Sequence, residues 1–371
     1  MSPLVTICIT LLIFSFSSAI IAAQTPSGSD PLYPLDKNVS VATIFDNSFG
    51  ERNVSYFTTV ERLAIIDGDV IYGTEAQLLS SEFRSFAVKQ PWPGATVVYK
   101  YDTAGTAARV AAIVNTAIVR WQLVSPYLTF QQLSNNVTPM NGVLTISSND
   151  CGGCNANVGF GALLPLQMNL QQPSTACNGS CGPNEATHEL GHVLGLLHEH
   201  QRPDRERTVN YHCENLSPNC TGGATMPAGS DCCSGAPPGC CGNAHNFDII
   251  SGLGKSYEYQ YDVNSVMHYV SQAFALPGTF TLTPVNTTVT LPTVNPSNPD
   301  VPDFERVCKI YEAQCPQAQS CLALGCPYKE KACTDFGSGY CSFHPYADGC
   351  GGSKAAKCVE KNEMCKENGC S

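Results

Sequence analysis

Apolar residues recur along the middle of this chain with two different periods, and these periods predict its secondary structure. Across residues 104–121 they return every three or four positions, which predicts a helix with one buried face. The short apolar runs at residues 96–101, 128–133 and 142–147 are typical of strands. A second helical stripe occupies residues 303–311. Strand, helix, strand and strand followed by a further helix indicates an α+β fold.

That further helix is predicted to carry the most informative polar residues. His188 and His192 lie four residues apart, so on a helix both imidazoles share one face and can bind one ion. Glu189 is next to the first histidine and can reach a water on that ion. Gly195 tolerates positive φ, so the helix can end there and the chain can turn to bring His198 to the same ion. Three neutral imidazoles and one water are typical of a catalytic zinc site.

The string H-E-x-x-H-x-x-G-x-x-H over residues 188–198 matches the pattern of the metzincin proteases. Its continuation, HEHQRPDR at residues 198–205, resembles the astacin branch of that clan. The segment SVMHY at residues 265–269 resembles the Met-turn, in which the methionine packs beneath the zinc site and the tyrosine binds the metal or swings away. The resemblance covers residues 92–315.

This resemblance implies a two-subdomain metzincin fold with a twisted N-terminal sheet, an active-site helix and a Met-turn. It implies one Zn²⁺ per chain, with Glu189 as general base. The other implied site residues are the three zinc ligands, the Met-turn methionine, and the tyrosine that acts as fifth ligand or oxyanion stabiliser: His188, His192, His198, Met267 and Tyr269.

Residues 24–84 contain no cysteine and are predicted to be a propeptide. Within them, residues 66–69 resemble the F-x-G-D motif of astacin pro-segments, with Ile66 in place of the phenylalanine. In that family the aspartate binds the zinc and keeps the enzyme latent, so Asp69 is a candidate latency switch; an ordinary D-G-D turn is the alternative. Trp92 and the following strand resemble the astacin opening, which places the mature N-terminus near residues 84–85. The resemblance implies that this new terminus meets Glu199.

The amino-acid composition indicates the cellular compartment in which the chain folds. The chain of 371 residues has 21 cysteines, which favours an oxidising environment. Residues 1–23 are predicted to be a secretory signal peptide, with a membrane anchor as the alternative. Seven N-x-S/T sites agree with secretion and glycosylation: Asn38, Asn53, Asn136, Asn178, Asn215, Asn219 and Asn286. The net charge of -11 argues against nucleic acid as a partner, and we expect no membrane attachment in the mature form.

The cysteines fall into groups along the chain. Those just before the zinc helix are expected to form disulfides rather than a structural zinc site, with the pairing left open: Cys151, Cys154, Cys177 and Cys181. The Gly/Pro/Ser-rich insertion 213–241 is expected to be cross-linked by bonds that cross it, and to lie either beside the cleft or far from it. In astacins the cysteine matching Cys315 bonds to an early one, but the matching position near Tyr127 is not cysteine, so Cys315 must pair elsewhere. Residues 316–371 are predicted to be a small disulfide-rich module of open function.

The predicted organisation is therefore signal peptide 1–23, propeptide 24–84, catalytic domain 85–315 and cysteine-rich module 316–371. The predicted function is a secreted, extracellular zinc-dependent endopeptidase, made as a latent proenzyme and activated by another protease, that hydrolyses protein or peptide substrates. One alternative is a metzincin of another branch, which would lack the contact between Glu199 and the N-terminus. The other is an inactive astacin-like, cysteine-rich secreted binding protein. The presence of Glu189 argues against this alternative, because an inactive homologue has no need of that carboxylate.

Overall fold

The computed structural model describes residues 37–46, 50–80, 90–162, 165–177, 179–218, 220, 225–233, 239–250 and 259–315, with 333–335, 340–343 and 359–360 in the tail. The predicted signal peptide, the predicted cleavage point near residues 84–85 and most of the predicted C-terminal module lie outside these ranges. Within them, none of the helices has the length and apolar content that spanning a bilayer requires.

A nine-stranded mixed sheet is the framework of the molecule. Its strands follow the order β1-β2-β3-β4-β8-β9-β7-β5-β6. Their bounds are β1 Ser40–Asp46, β2 Gly50–Thr58, β3 Leu63–Ile66, β4 Val70–Thr74, β5 Thr96–Tyr101, β6 Thr129–Gln132, β7 Leu144–Ser147, β8 Cys154–Ala156 and β9 Leu166–Leu170.

Strands β1 to β4 form an antiparallel meander in the predicted propeptide. Strand β5 is parallel to β6 and β7, β7 is parallel to β9, and β8 is antiparallel to β9. The two halves join where Val70 of β4 pairs in parallel with Ala156 of β8. The strands of the predicted propeptide and of the predicted catalytic domain therefore form one continuous sheet.

The remaining strands of the described residues form two smaller sheets. β10 (Val209–Tyr211) pairs antiparallel with β11 (Leu282–Pro284). In the tail, β12 (Cys333–Asp335), β13 (Tyr340–Phe343) and β14 (Val359–Glu360) form an antiparallel sheet of their own.

Four α-helices lie in the described residues: α1 Glu75–Leu78, α2 Ala104–Val124, α3 Pro183–Leu194 and α4 Val301–Ile310. Thr103 caps α2, where its hydroxyl accepts from the Thr106 amide at 3.0 Å. The predicted apolar stripe of α2 is confirmed, because Val110, Val114, Ala117, Ile118 and Trp121 are buried, while its sixth member, Ile113, is half-buried against the same core. Trp121 also donates its indole N–H to the Thr187 carbonyl at 2.8 Å, which ties α2 to α3.

The two largest hydrophobic clusters of the described residues hold these elements. The larger lies between the catalytic strands and helices α2 and α3, and includes the Met-turn. The smaller belongs to the propeptide strands and consists of Ile44, Val54, Tyr56, Ala64, Ile66, Val70, Tyr72 and Leu78. Burying a side chain such as Ile66 or Leu78 contributes about 1.5–3 kcal/mol. The predicted propeptide therefore has a packed core of its own beside that of the predicted catalytic domain.

The twelve cysteines between Cys151 and Cys315 form six disulfides. Before α3 the bridges are Cys151–Cys177 and Cys154–Cys181. In the insertion they are Cys213–Cys233, Cys220–Cys240 and Cys232–Cys241, so the expectation that bonds cross the loop is confirmed. Cys315 pairs with Cys308, seven residues away, and Tyr127 packs against this bridge. The prediction that Cys315 finds a partner outside the family's position is therefore confirmed.

Candidate active site

Helix α3 positions the first two histidines, and its ends are specified locally. Pro183 begins the helix, and the Glu185 carboxylate accepts from the Gly182 amide at 2.8 Å, which satisfies one N-terminal N–H. The helix ends at Gly195, whose φ of +108° lies in the region that favours glycine. This turn returns the chain toward the helix and brings His198 beside His192.

The three histidine side chains converge. The Nε2 atoms of His192 and His198 are 3.2 Å apart, and the ring centroids of the three pairs are separated by 4.8–5.3 Å. His188 Nδ1 donates to the Val266 carbonyl at 2.6 Å and His192 Nδ1 donates to the Leu196 carbonyl at 2.9 Å. Since Nδ1 carries the proton in both rings, the Nε2 lone pairs face the shared point.

Asp69, in the predicted propeptide, reaches that same point. Its Oδ2 lies 3.1 Å from His188 Nε2, and its Oδ1 lies 3.3 Å from His192 Nε2 and 2.9 Å from His198 Nε2. The carboxylate is fully buried. Burial alone would raise the pKa of Asp69, but the surrounding histidines hold it well below its usual range.

Carboxylate oxygens and imidazole lone pairs repel one another, so this arrangement needs a cation at its centre or a protonated ring. The ligand atoms of Asp69, His188, His192 and His198 all lie within 4.8 Å of one another. Three imidazole nitrogens, two of them on rings oriented through Nδ1, together with one carboxylate oxygen, are the donor types and the number that Zn²⁺ takes. The residues present therefore fit one zinc ion.

A tight turn presents Asp69, and we call residues 67–69 the switch turn. Gly68 has a φ of +90°, and a Cβ placed on it would meet the Tyr269 hydroxyl and come within 3.3 Å of the Phe274 ring. Only glycine fits this position. The Tyr269 hydroxyl donates to the Asp67 carbonyl at 2.6 Å, which fixes the turn against the Met-turn.

Two further side chains hold Asp67. Arg52 of β2 binds its carboxylate through two N–H···O contacts of 2.9 and 2.5 Å. Gln201 donates to the same carboxylate at 3.2 Å. Burial would raise the pKa of Asp67, but Arg52, together with His198 and Gln201, outweighs this and lowers it. The switch turn is therefore fixed on both sides of Gly68.

Glu189 is buried beside the same histidines, but its situation is the reverse of that of Asp69. Neither carboxylate oxygen has a hydrogen-bond partner among the described residues. Burial, and then the negative charge of Asp69, raises the pKa of Glu189 well above its usual range. A buried carboxyl group without a partner is costly unless a ligand or reaction uses it.

The Met-turn lies directly beneath helix α3. A Cβ placed on Gly191 would meet the Met267 sulfur, so the glycine allows the methionine to pack against the helix. The Glu199 amide donates to the Met267 carbonyl at 2.9 Å. Tyr269 stacks on His200 with ring centroids 3.8 Å apart and lies 4.7 Å from the His198 ring. Met267 and Tyr269 therefore line the site that holds the three histidines.

Glu199, the residue after the third histidine in the segment 198–205, has internal partners here. It accepts from Arg306 at 2.8 Å and from the Asp262 amide at 2.7 Å. Asp303, one turn before Arg306 on α4, accepts from the Ser265 hydroxyl at 2.6 Å and from the Val266 amide at 3.0 Å. Helix α4 and Glu199 together hold the Met-turn in place. Burial raises the pKa of Glu199 to about 7, although Arg306 and Arg202 oppose it.

The sequence pattern selected the residues that meet at this site and overlooked those that support them. Arg52, Asp67 and Gln201 were overlooked, as were Asp303 and Arg306 on α4. Asp67 stood inside the D-G-D string and was a visible candidate. No pattern in the sequence predicts the contact between Arg52 and Asp67, because residues from distant segments meet only once the sheet is formed.

Part of the chain matches a known family of peptidases. Residues 85–225 match the family model described as Astacin, a family of peptidases. Zinc metalloproteinase nas-5 of Caenorhabditis elegans is 29% identical over 160 residues, which cover 43% of this chain and 37% of that protein. Astacin-like metalloprotease toxin 2 of Loxosceles intermedia is 29% identical over 161 residues, covering 43% of this chain and 56% of that protein. The chain therefore spans less than two thirds of either relative's length.

Among solved structures, High choriolytic enzyme 1, a hatching enzyme zinc-protease from Oryzias latipes, aligns with a TM-score of 0.43 and 21% identity. The alignment covers 60% of this chain and 93% of that one.

Proposed function

We propose that this chain is a zinc-dependent endopeptidase of the astacin family made as a latent precursor, because residues 85–225 match the model of that family of peptidases. The observation that carries the proposal is the convergence of three imidazoles and a propeptide carboxylate on one point. The unpartnered Glu189 beside them favours an enzyme over an inactive binding protein, since a scaffold alone has no use for a buried acid without partners.

His188, His192 and His198 would hold the ion, one per chain. Their Nδ1 hydrogen bonds fix the ring orientations for the first two, so little reorganisation is needed on binding. A zinc ion held there supplies Lewis-acid chemistry: it lowers the pKa of water to about 7 and polarises a carbonyl group.

Glu189 is the general base. Its carboxylate takes a proton from the attacking water and then passes that proton to the nitrogen of the leaving amine as the peptide C–N bond breaks. Burial raises the pKa of Glu189 above its usual range, which makes its carboxylate a stronger base toward the attacking water.

Tyr269 assists after the propeptide leaves. Its hydroxyl donates to the Asp67 carbonyl in this structure, so removal of the switch turn frees the same hydrogen for a substrate oxyanion. Met267 supports the ligands from below and touches no reacting atom.

Asp69 keeps the precursor latent. Its two oxygens already contact all three ligand nitrogens, so substrate and water are excluded while the switch turn is in place. The pairing of Val70 on β4 with Ala156 on β8 supports this role, because β4 then occupies the edge of β8 where an extended substrate would compete with it.

Another protease activates the chain near residues 84–85, and the new N-terminus then joins Glu199 beside Arg306 and Asp262. We place the mature enzyme outside the cell, because six disulfides would not persist in a reducing compartment. In this proposal residues 1–23 direct export, residues 24–84 are the propeptide, and residues 85–315 form the catalytic domain with its insertion. Residues 316–371 are a separate module.

Casein cleavage by the processed chain tests the proposal. We expect cleavage that a zinc chelator abolishes and that added Zn²⁺ restores. A processed chain that binds zinc but cleaves neither casein nor a mixed peptide library would contradict it. Sequencing the mature N-terminus separates an astacin from a metzincin of another branch, because only the first buries that terminus against Glu199.

A further inference from the structure

The end of the cysteine-rich insertion contacts the propeptide. We call residues 242–247, a short 3-10 helix directly after Cys241, the exit segment. Cys240 and Cys241 are both cross-linked, to Cys220 and Cys232. The family model ends at residue 225, so the exit segment lies beyond the part of the chain that the family pattern covers.

The first propeptide hairpin, β1–β2, sits on the exit segment with close contact. Val39, just before β1, is buried, and a Cβ placed on Gly242 would lie 2.8 Å from its Cγ1 and 2.9 Å from its Cβ. The backbones approach this closely only because residue 242 has no side chain. The hydroxyl of the buried Ser55 on β2 donates to the Gly242 carbonyl.

The contact continues toward the switch turn. Asn243 and Asn246 of the exit segment line a small cavity together with residues of both propeptide hairpins. Gln201 donates to the Asp67 carboxylate at 3.2 Å and to the Asn246 carbonyl at 3.3 Å. One side chain therefore joins the exit segment to the turn that presents Asp69.

We propose that the exit segment is the docking surface for the β1–β2 hairpin, and that the insertion's disulfides hold it in position for that purpose. The insertion is rich in Gly, Pro and Ser, so without cross-links it has few contacts that would fix the backbone before Gly242. Because the hairpin shares a core with β3 and β4, its docking also holds the switch turn.

This inference rests on the proposed function, since it treats β1–β4 as an inhibitory segment. It goes beyond it in one respect: cleavage of the chain and release of Asp69 become separate steps. After a cut between Ser80 and Gln90, the propeptide remains bound until the hairpin leaves the exit segment.

The test uses the full chain with one engineered protease site between Ser80 and Gln90. After cutting, size-exclusion chromatography measures the fraction of propeptide that co-elutes with the catalytic part. We expect the parent chain to retain it and Gly242→Ala to bind it about tenfold or more weakly, because the added methyl overlaps Val39. Gly242→Ala combined with Val39→Gly makes room for the methyl and should restore retention.

Gly229→Ala is the matched control. Gly229 lies in the same insertion with a φ of +81°, and a Cβ there meets nothing within 4 Å. We expect it to retain the propeptide, since backbone strain in the insertion without a clash should not displace the hairpin. Loss of retention in this control would overturn the docking surface as a specific contact.

Retention by Gly242→Ala equal to the parent, or no recovery in the double variant, would also overturn the docking proposal. Co-elution needs no turnover, so the two proposals fail separately. A chain that behaves as described but never cleaves casein contradicts only the peptidase. A chain that cleaves casein while Gly242→Ala retains its propeptide contradicts only the docking surface.

Discussion

The switch turn and helix α3 each bring one carboxyl group to the same three histidines, and the two groups are in opposite states. Asp69 contacts all three ring nitrogens and its pKa is depressed, whereas Glu189 has no partner among the described residues and its pKa is raised. Burial acts on both in the same direction, so the difference comes from the neighbours. One acid is held in its charged form to occupy the site, and the other is left ready to exchange a proton.

Of the changes that test this comparison, we expect the largest effect from replacing Glu189. In the processed chain, Glu189→Gln keeps the size of the side chain but removes the base, and we expect turnover to fall about 10³-fold. Zinc content measured by plasma mass spectrometry should not change, because Glu189 is not among the converging ligands. The exposed Glu206→Gln is the control and should cleave casein normally. Near-normal turnover in Glu189→Gln would remove it as the base.

Tyr269 belongs to both sides of the comparison, because its hydroxyl serves the switch turn before processing and the substrate afterwards. Tyr269→Phe should lower kcat of the processed chain about 10²-fold with little change in KM, the signature of a lost oxyanion donor. Tyr211→Phe is the matched control: its ring packs in the same aromatic cluster, and its hydroxyl has no partner among the described residues. A pure KM effect would argue for substrate binding instead.

Asp69→Ala tests whether the carboxylate that contacts the three histidines keeps the unprocessed chain inactive. The unprocessed chain should gain casein cleavage roughly tenfold or more over the parent, because the competing internal ligand is gone while the rest of the propeptide stays folded. Activity after processing should be unchanged. If the unprocessed variant is as inactive as the parent, the propeptide blocks the cleft by bulk alone.

Arg52→Met tests the support of the switch turn, and we expect it to have the smallest effect on activity. The Asp67 carboxylate loses its two-point partner, the switch turn loosens, and we expect basal activity of the unprocessed chain to rise roughly threefold. Arg62→Met is the control, since Arg62 lies in the same propeptide but pairs with Glu75 at the surface. Equal effects of the two changes would mean that Arg52 only stabilises the propeptide in general.

Local patterns in the sequence predicted the catalytic half well. The spacing of His188, His192 and Gly195 is a property of one helix and its end, so a single segment contains all the information. Strand β5, helix α2 and helix α4 were predicted for the same reason, since each has a periodic apolar face. Helix α2 continues three residues beyond the predicted end at Trp121.

Contacts between distant segments were not predictable in this way. Strands β8 and β9 are short and buried, so they lack the alternation that identifies a half-exposed strand. Strands β1 to β3, in the proposed propeptide, were also overlooked. The pairs Arg52–Asp67 and Arg306–Glu199 join residues from different elements, and the disulfide partners required the fold.

The short ring closed by Cys308 and Cys315 has a consequence for how this protein can change over evolutionary time. Every cysteine from Cys151 to Cys315 is paired within that stretch, and residues 24–150 contain none. Apart from Cys8, no cysteine before Pro316 is therefore left to pair with the eight cysteines that follow it. A gene could lose, duplicate or replace this C-terminal appendage without leaving an orphan thiol behind in the part to which we assign hydrolysis.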